Sequence, residues 1–234
     1  MESIGLLFKV LWSPGEALSR VATSRKAMAP LILLTLASIG FGFVRTSYIN
    51  DGEIALKVLE QRQTQLTQEQ KDQIVAQSNS PVVKGIGVVV GALVPTLTIL
   101  VASAVFFGVF TLIGREGGFK SYFAVTALAH VPMLLRLIVS AVMVATIPQS
   151  SLALDEIGSI SPSLLLDRAG MSKVLFTLIN SIDVVSIWIV ILLIIGYRFV
   201  TTKKVSTALR IVGVLGAWLV WVLIRVALAP FLGS

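Results

Sequence analysis

Long apolar runs alternate with polar segments along the chain. The apolar runs cover residues 27–44, 82–113, 121–147, 173–197 and 207–229. A helix needs about 20 mostly apolar residues to cross a hydrocarbon core of about 30 Å. The pattern therefore predicts an all-α integral membrane protein, built as a bundle of five spanning helices. Two longer polar loops, residues 45–80 and 148–172, join the first span to the second and the third to the fourth.

The first 26 residues predict an amphipathic foot on the cytoplasmic side, ahead of a membrane domain at residues 27–234. One apolar face recurs at helical spacing and indicates a helix lying on the membrane surface. Its members are Ile4, Leu7, Phe8 and Leu11. Residues 13–16, Ser-Pro-Gly-Glu, combine a capping serine, a proline at the first helical position and a glutamate three residues after the cap. They predict a second short helix, and the foot either anchors the bundle or binds a partner.

The loop at residues 45–80 is polar and rich in glutamine, yet it carries helical signals. Ile54, Val58 and Leu59 form an apolar stripe. Thr67 and Gln70 have the spacing of a capping box, which opens a second helix. We expect a helical hairpin outside the lipid.

The second span is longer than a bilayer requires. Its apolar part, from Gly85 to Ile113, must tilt, protrude or kink at Pro95. Gly87 and Gly91 form a GxxxG pair, a common motif for close helix contact.

The fourth run, read as one continuous helix, holds a single carboxylate, Asp183. A charge at membrane depth costs several kcal/mol unless a partner or water neutralises it. At about 1.5 Å per residue, Asp183 lies roughly 15 Å from the start of its run, and Arg136 lies roughly 16 Å from the end of the third run. If those two ends share one side of the membrane, the charges are level. We therefore expect an ion pair between the third and fourth spans.

A few other polar side chains occur at span depth. The predicted buried polar cluster comprises Asp183, Arg136, His130, Asn180 and Arg225. A lone histidine on a membrane helix is more often hydrogen-bonded structure than a metal or proton site. No metal or cofactor is expected.

Composition narrows the function classes. The mean hydropathy is +0.92, and 56% of the residues are hydrophobic against 13% charged, which excludes a soluble domain. The net charge of +7 comes from basic residues scattered at helix ends, so nucleic-acid binding is not expected. The chain has no cysteine, so it offers no disulfide or thiol nucleophile. No second histidine or carboxylate dyad lies at membrane depth, which argues against an enzyme.

The positive-inside rule predicts the orientation. The N-terminal segment, the turn at Arg115 and the loop at Lys203 together carry ten basic and three acidic residues. The two long loops with their flanks carry seven basic and eight acidic residues. Five spans with the N-terminus in the cytoplasm and the C-terminus outside fit this asymmetry, in a cell (inner) membrane. The ends of the third run and the start of the fourth then both face outside.

Several short motifs resemble those of a known family. The opening Ser-Pro-Gly-Glu element is followed by a Gly-Gly-Phe-Lys turn at residues 117–120 and by Ala-His-Val-Pro-Met-Leu-Leu at residues 129–135. Asp183 and Trp188 then precede Gly196. In this order, and over nearly the whole chain, the sequence resembles the Yip domain, named for Ypt/Rab-interacting proteins, and most closely its bacterial branch.

The resemblance implies a fold, a topology and a non-enzymatic membrane role. Eukaryotic members are Golgi and endoplasmic-reticulum proteins linked to vesicle traffic through Rab GTPases, and they use a longer cytoplasmic N-terminal region. Only residues 1–26 precede the first span here, so Rab binding is not carried over.

Two function classes remain open. In the first, the protein is a membrane scaffold or assembly factor of the trafficking type. It would act in the lipid bilayer with a membrane-protein partner or with further copies of itself. In the second, it is a small transporter or channel component, and the buried polar cluster lines a path. A conducting path usually needs a longer polar stripe or broken helices, which favours the scaffold.

Overall fold

The computed structural model describes residues 2–61, 66–149, 157–165 and 171–229. The described chain is mostly helical in its apolar runs, and short 3-10 and turn segments join the helices. In chain order the helices are α1 (Glu2–Trp12), α2 (Pro14–Ser24), α3 (Met28–Tyr48), α4 (Asp51–Gln61), α5 (Gln68–Ser78), α6 (Pro81–Ile113), α7 (Phe119–Ala129), α8 (Met133–Thr146), α9 (Lys173–Asn180), α10 (Val184–Tyr197) and α11 (Thr207–Leu228).

The predicted membrane bundle is confirmed. Within the described residues, α3, α6, the α7–α8 pair and α11 are each long and apolar enough to cross a bilayer. The α9–α10 pair passes the same test when its two halves are counted together, which gives up to five spans. The all-α class is consistent with the length of the apolar runs. Inside lipid there is no water to bond the backbone N–H and C=O groups, and a helix pairs these groups within itself.

The fourth span is not the continuous helix that the sequence predicts. α9 ends at Asn180, α10 begins at Val184, and the two axes differ by 51°. The physical reason is local: the Asp183 side chain accepts hydrogen bonds from backbone N–H groups of the next turn and caps a new helix there. The carboxylate thus lies at a helix start rather than on the flank of a helix.

The third span is also interrupted, between Ala129 and Met133. Pro132 has no backbone N–H to donate to the preceding turn, so the regular helical hydrogen-bond pattern fails at this point. α7, the first half of this span, is the most enclosed helix of the bundle, and most of its residues are buried. The foot and α10 both pack against it.

The foot is part of the bundle core. Ala17, Leu18 and Val21 of α2 are fully or almost fully buried, because α2 packs on α7 and α10. The apolar face predicted for α1 divides in two. Leu7 turns inward with Leu6 and Val10, whereas Ile4, Phe8, Leu11 and Trp12 stay exposed.

The helix start at residues 13–16 forms without the predicted side-chain cap. Ser13 makes no capping hydrogen bond. The Glu16 carboxylate instead pairs with Lys9 at 2.5 Å and with Arg20 at 2.7 Å. The hydrogen bond from Lys9 lowers the pKa of Glu16, and the charge of Arg20 acts in the same direction. This ion pair ties the end of α1 to the start of α2.

The foot-side end of the bundle is closed by two connecting segments that pair with each other. The backbone N–H groups of Glu116 and Gly117 donate to the Val200 carbonyl at 3.0 and 3.1 Å, and the Tyr122 hydroxyl donates to the same oxygen at 3.0 Å. Tyr122 and Tyr197 pack against each other and against phenylalanines of α6 with tilted rings, whose centroids are 5.1 to 6.0 Å apart. The connection after the second span and the connection after the fourth therefore lie on one side.

The opposite end carries the predicted hairpin. α4 packs on α5, and the capping box of Thr67 and Gln70 is present as predicted. The Asn50 backbone N–H donates to the Gln149 side-chain oxygen at 2.8 Å, so α3 and α8 end at the same side. The connections after α6 and α10 thus lie at one end of the bundle, and the ends of α3 and α8 lie at the other.

The GxxxG pair on α6 has no helix packed on it. No described atom of a neighbouring element would lie within 4 Å of a methyl group added at Gly87 or Gly91. α3 approaches α6 through Gly42 instead, where an added methyl group would lie 3.2 Å from Val88.

Candidate functional site

The break in the fourth span places the Asp183 carboxylate at the N-terminus of α10. Its Oδ1 atom accepts hydrogen bonds from the backbone N–H groups of Val185 and Ser186, both at 3.0 Å. The first N–H groups of a helix have no partner within the helix, and the helix dipole favours negative charge at that end. The broken helix therefore supplies the donors that an acid at membrane depth needs.

Arg136 of α8 completes the environment of this carboxylate. Its Nη2 atom lies 2.7 Å from both Asp183 oxygens, and it also approaches the Ser186 hydroxyl oxygen at 3.2 Å. The Ser186 hydroxyl donates to Asp183 Oδ2 at 2.5 Å. Asp183 is only 4% exposed. The ion pair between the third and fourth spans, predicted from depth alone, is present.

The guanidinium makes this contact through one nitrogen rather than through the fork. Arg136 Nη2 serves both carboxylate oxygens, and Arg136 Nε is buried with no hydrogen-bond partner among the described residues. Parallel bidentate contacts would use two guanidinium nitrogens and would give stronger geometric selection. The two charges neutralise each other. Unused hydrogen-bond donors remain on the guanidinium, whereas both oxygens of the carboxylate are occupied.

Asn180 belongs to a second polar group just across the break. Its side-chain oxygen accepts from three serine hydroxyls: Ser159 at 2.5 Å, Ser161 at 3.0 Å and Ser163 at 3.2 Å. We call these four residues the serine cluster. In addition, the backbone N–H of Val184 donates to the carbonyl of residue 160 at 3.2 Å. The described loop residues 159–163 are therefore held against both helices at the break.

The same loop reaches α8 through a glycine. Gly158 has a φ of +73°, which L side chains rarely adopt. A methyl group there would overlap the Ser140 hydroxyl and press on the backbone oxygen of Arg136. Only glycine lets the loop lie between α8 and the break. The sequence predicts a loop at residues 148–172 but not its contacts with Asn180 and α8. Serines at every second position from 159 to 163 were a signal that one side of an extended segment is polar.

Comparison with protein families identifies the chain. A family model described as the Yip1 domain matches residues 8–229, nearly the whole sequence. The chain belongs to the Yip1 domain family. A search of curated proteins and a search of solved structures each found no match. This Yip1 protein is therefore a multi-pass membrane protein, of a family that is not enzymatic, and its setting is a lipid bilayer.

Two members of the predicted cluster are not bonded to the ion pair in the described part of the Yip1 fold, although the charge of Arg225 interacts with those of Arg136 and Asp183. His130 is buried at the end of α7, where its Nδ1 atom is 2.7 Å from the Thr126 carbonyl. Arg225 is exposed on α11. In the described part of the chain, no hydrogen bond or salt bridge joins either residue to Arg136 or Asp183. The structure thus brings two of the five residues together and places Asn180 in the adjoining serine cluster.

No described group of three or more histidine, aspartate or glutamate side chains in this Yip1 chain has the arrangement of a metal site.

Proposed function

We propose that the protein is a non-enzymatic scaffold or assembly factor of the trafficking type. It would act in a cell (inner) membrane, with its N-terminus in the cytoplasm and its C-terminus outside. Its partner would be another membrane protein or a second copy of the chain. Membership of the Yip1 family and the helical bundle support the membrane part of this proposal.

The observation that carries the proposal is the saturation of the Asp183 carboxylate. It receives two backbone N–H groups, the Ser186 hydroxyl and the Arg136 guanidinium, and it is almost completely buried. A carboxylate that binds a travelling ion or proton needs a free acceptor position and access to water. Asp183 offers neither in this state, so its role is to hold α8 against α10.

The foot-side face offers the surface on which a partner would assemble. α1 presents exposed Ile4, Phe8, Leu11 and Trp12. The foot and the connecting segments beside it together carry ten of the 19 basic residues of the chain. Large apolar side chains beside positive charge suit both a membrane interface and a membrane-protein contact. A face of this kind supports a scaffold better than it supports a conducting path.

A transporter or channel component is the second candidate, and one observation favours it. The fourth span is broken by 51° at the carboxylate, and the third is interrupted at Pro132. Broken spans with helix ends at membrane depth are the usual construction of transporter binding sites. In this alternative, Arg136 would release Asp183 during a cycle, and the serine cluster would open towards the outside.

Two measurements separate these candidates. Crosslinking and pull-down from native membranes should recover a stable partner or a discrete oligomer, and mutation of exposed α1 residues should reduce the yield. Purified protein in sealed vesicles should show no ion or solute flux above empty vesicles. Two results together would reject the scaffold proposal in favour of a transporter. One is a flux through the unmodified protein that a folded Asp183→Asn variant lacks. The other is a monomer that recovers no partner in the pull-down.

The orientation can be tested directly because the chain has no cysteine. Single cysteines introduced at Lys204 and at Lys57 should react from opposite sides with a membrane-impermeant maleimide. We expect Lys57→Cys to react in intact cells or spheroplasts and Lys204→Cys to react only after the membrane is opened. The reverse pattern would invert the proposed topology.

A further inference from the structure

Two adjoining cavities open where α3 and α6 end on the hairpin side of the bundle. The first, of about 250 Å³, is lined by Gly42, Arg45, Lys84 and Gly87 among others. The second, of about 300 Å³, is polar, and Ser47 and Asn79 contribute to its wall. Both cavities share Thr46 and Lys84. Lys84 lies one turn from the start of α6 and Thr46 lies close to the end of α3, so the junction lies at the ends of two candidate spans, where we place a membrane interface.

The charges at this junction do not cancel. Arg45 is paired with Asp51 through two nitrogens, at 2.5 and 3.2 Å. Lys84 donates to a neutral acceptor, the Thr46 carbonyl, at 3.1 Å, and none of the described carboxylates lies within ion-pair distance of it. An ammonium group has three donors, so two remain for a ligand. One uncompensated cation at the boundary of the hydrocarbon attracts an anion.

The cavity walls change from polar to apolar along α6. A methyl group at Gly87 would touch no described atom of a neighbouring element, so the space beside it is open. Val83, Ile86 and Val90 near it are exposed apolar side chains. At the other end, the side-chain oxygens of Ser47 and Asn79 keep acceptor capacity for hydroxyl groups. A cation between a polar cavity and an apolar groove matches the chemistry of a phospholipid.

We propose that this junction binds an anionic phospholipid with a hydroxyl-bearing head group, of the phosphatidylglycerol type. The phosphate oxygens accept hydrogen bonds from Lys84 Nζ. The glycerol hydroxyls of the head group donate to Ser47 and Asn79. One acyl chain begins in the gap beside Gly42 and Gly87 and continues along the exposed face of α6. The bound lipid would thereby hold α3 and α6 together beside the hairpin of α4 and α5.

Lipid binding to the full chain in a neutral detergent tests the proposal. Phosphatidylglycerol is titrated and followed by native mass spectrometry, with phosphatidylcholine as the zwitterionic comparison and inorganic phosphate as the free-anion comparison. We expect one phosphatidylglycerol to be retained with at least tenfold preference over phosphatidylcholine. Lys84→Gln should weaken its binding about tenfold, since hydrogen bonds to a charged group are worth roughly that much.

Matched controls separate the site from general charge and folding effects. Lys57→Gln removes a positive charge from exposed α4 on the same side and should leave binding unchanged. Gly87→Leu should block the acyl chain, whereas Gly85→Leu, also free of neighbours but not part of the cavity wall, should not. Equal binding by Lys84→Gln and the unmodified protein would overturn the proposal. So would equal retention of both lipids, or competition by millimolar inorganic phosphate alone.

Discussion

The ion pair between Arg136 and Asp183 predicts a strongly coupled double-mutant cycle. The variants are Asp183→Asn, Arg136→Gln and their combination. Asparagine is a suitable first substitution because it keeps a side-chain oxygen for the α10 cap while it removes the charge. Asp183→Ala removes both the charge and the cap, and the difference between the two variants isolates the cap.

The expected magnitudes follow from what each variant leaves behind. An unpaired arginine at the centre of a spanning helix costs about 2.5 to 3.5 kcal/mol on insertion scales. The Arg136 side chain is 33% exposed, so it can relax partly towards the interface. We expect each single variant to lose about 2 to 3 kcal/mol of unfolding free energy. The double variant should lose about 1.5 kcal/mol less than the sum, and Asp183→Ala should lose about 1 kcal/mol more than Asp183→Asn.

The assay is reversible unfolding of the purified protein in mixed micelles, by titration with sodium dodecyl sulfate. Arg198→Gln combined with Asp183→Asn is the control cycle, because Arg198 is an exposed cation at the other end of α10, about 22 Å along the helix from the carboxylate. This cycle should be additive within about 0.5 kcal/mol. If the Arg136 cycle were equally additive, the pair would contribute no coupling, and the reasoning that the two charges hold α8 against α10 would be refuted.

Three further outcomes are expected from other parts of the molecule. The pair with Lys9 lowers the folded-state pKa of Glu16, so the stabilising effect of the pair is present above the ordinary pKa of a glutamate and is lost as the pH falls through the lowered value. Amide hydrogen exchange in α1, corrected for intrinsic rates, should therefore rise on acidification. Glu16→Gln should remove that pH dependence. Gly196→Ala should destabilise the bundle by about 1 to 3 kcal/mol, since its methyl group would lie 2.5 Å from a valine of α7. Gly216→Ala, whose methyl group meets no described neighbour, should change the unfolding free energy by less than about 0.5 kcal/mol. Equal melting temperatures for the two variants would contradict this. Asn180→Ala should lower the unfolding free energy by about 1 to 3 kcal/mol and expose the loop of the serine cluster to protease, because three serine hydroxyls lose their shared acceptor. An unchanged cleavage pattern would show that other contacts hold this loop.

Apolar periodicity and depth were enough to predict the bundle and its central contact. The lengths of the runs gave the spans, and counting residues from their ends placed Arg136 level with Asp183. Local capping chemistry located the hairpin, since the box at Thr67 and Gln70 forms as expected. These features depend on short-range rules that one sequence expresses directly.

The break in the fourth span could not be read from hydropathy. Asp183 interrupts an apolar run without changing its average, and whether an aspartate flanks a helix or caps a new one depends on the partner it meets in three dimensions. The burial of α2 was hidden for a similar reason. An amphipathic helix has the same spacing of apolar residues whether it packs against lipid or against another helix. Only the packed structure shows that Leu18 lies in the protein core.

The bend at Asp183 also constrains the order in which the chain enters the membrane. At about 1.5 Å per residue, α9 is about 12 Å long and α10 about 21 Å, so neither half can bridge the hydrocarbon by itself. Their junction carries an acid whose charge is paired with that of Arg136. We therefore expect the fourth span to reach its final position after the third, once Arg136 is available to pair with Asp183.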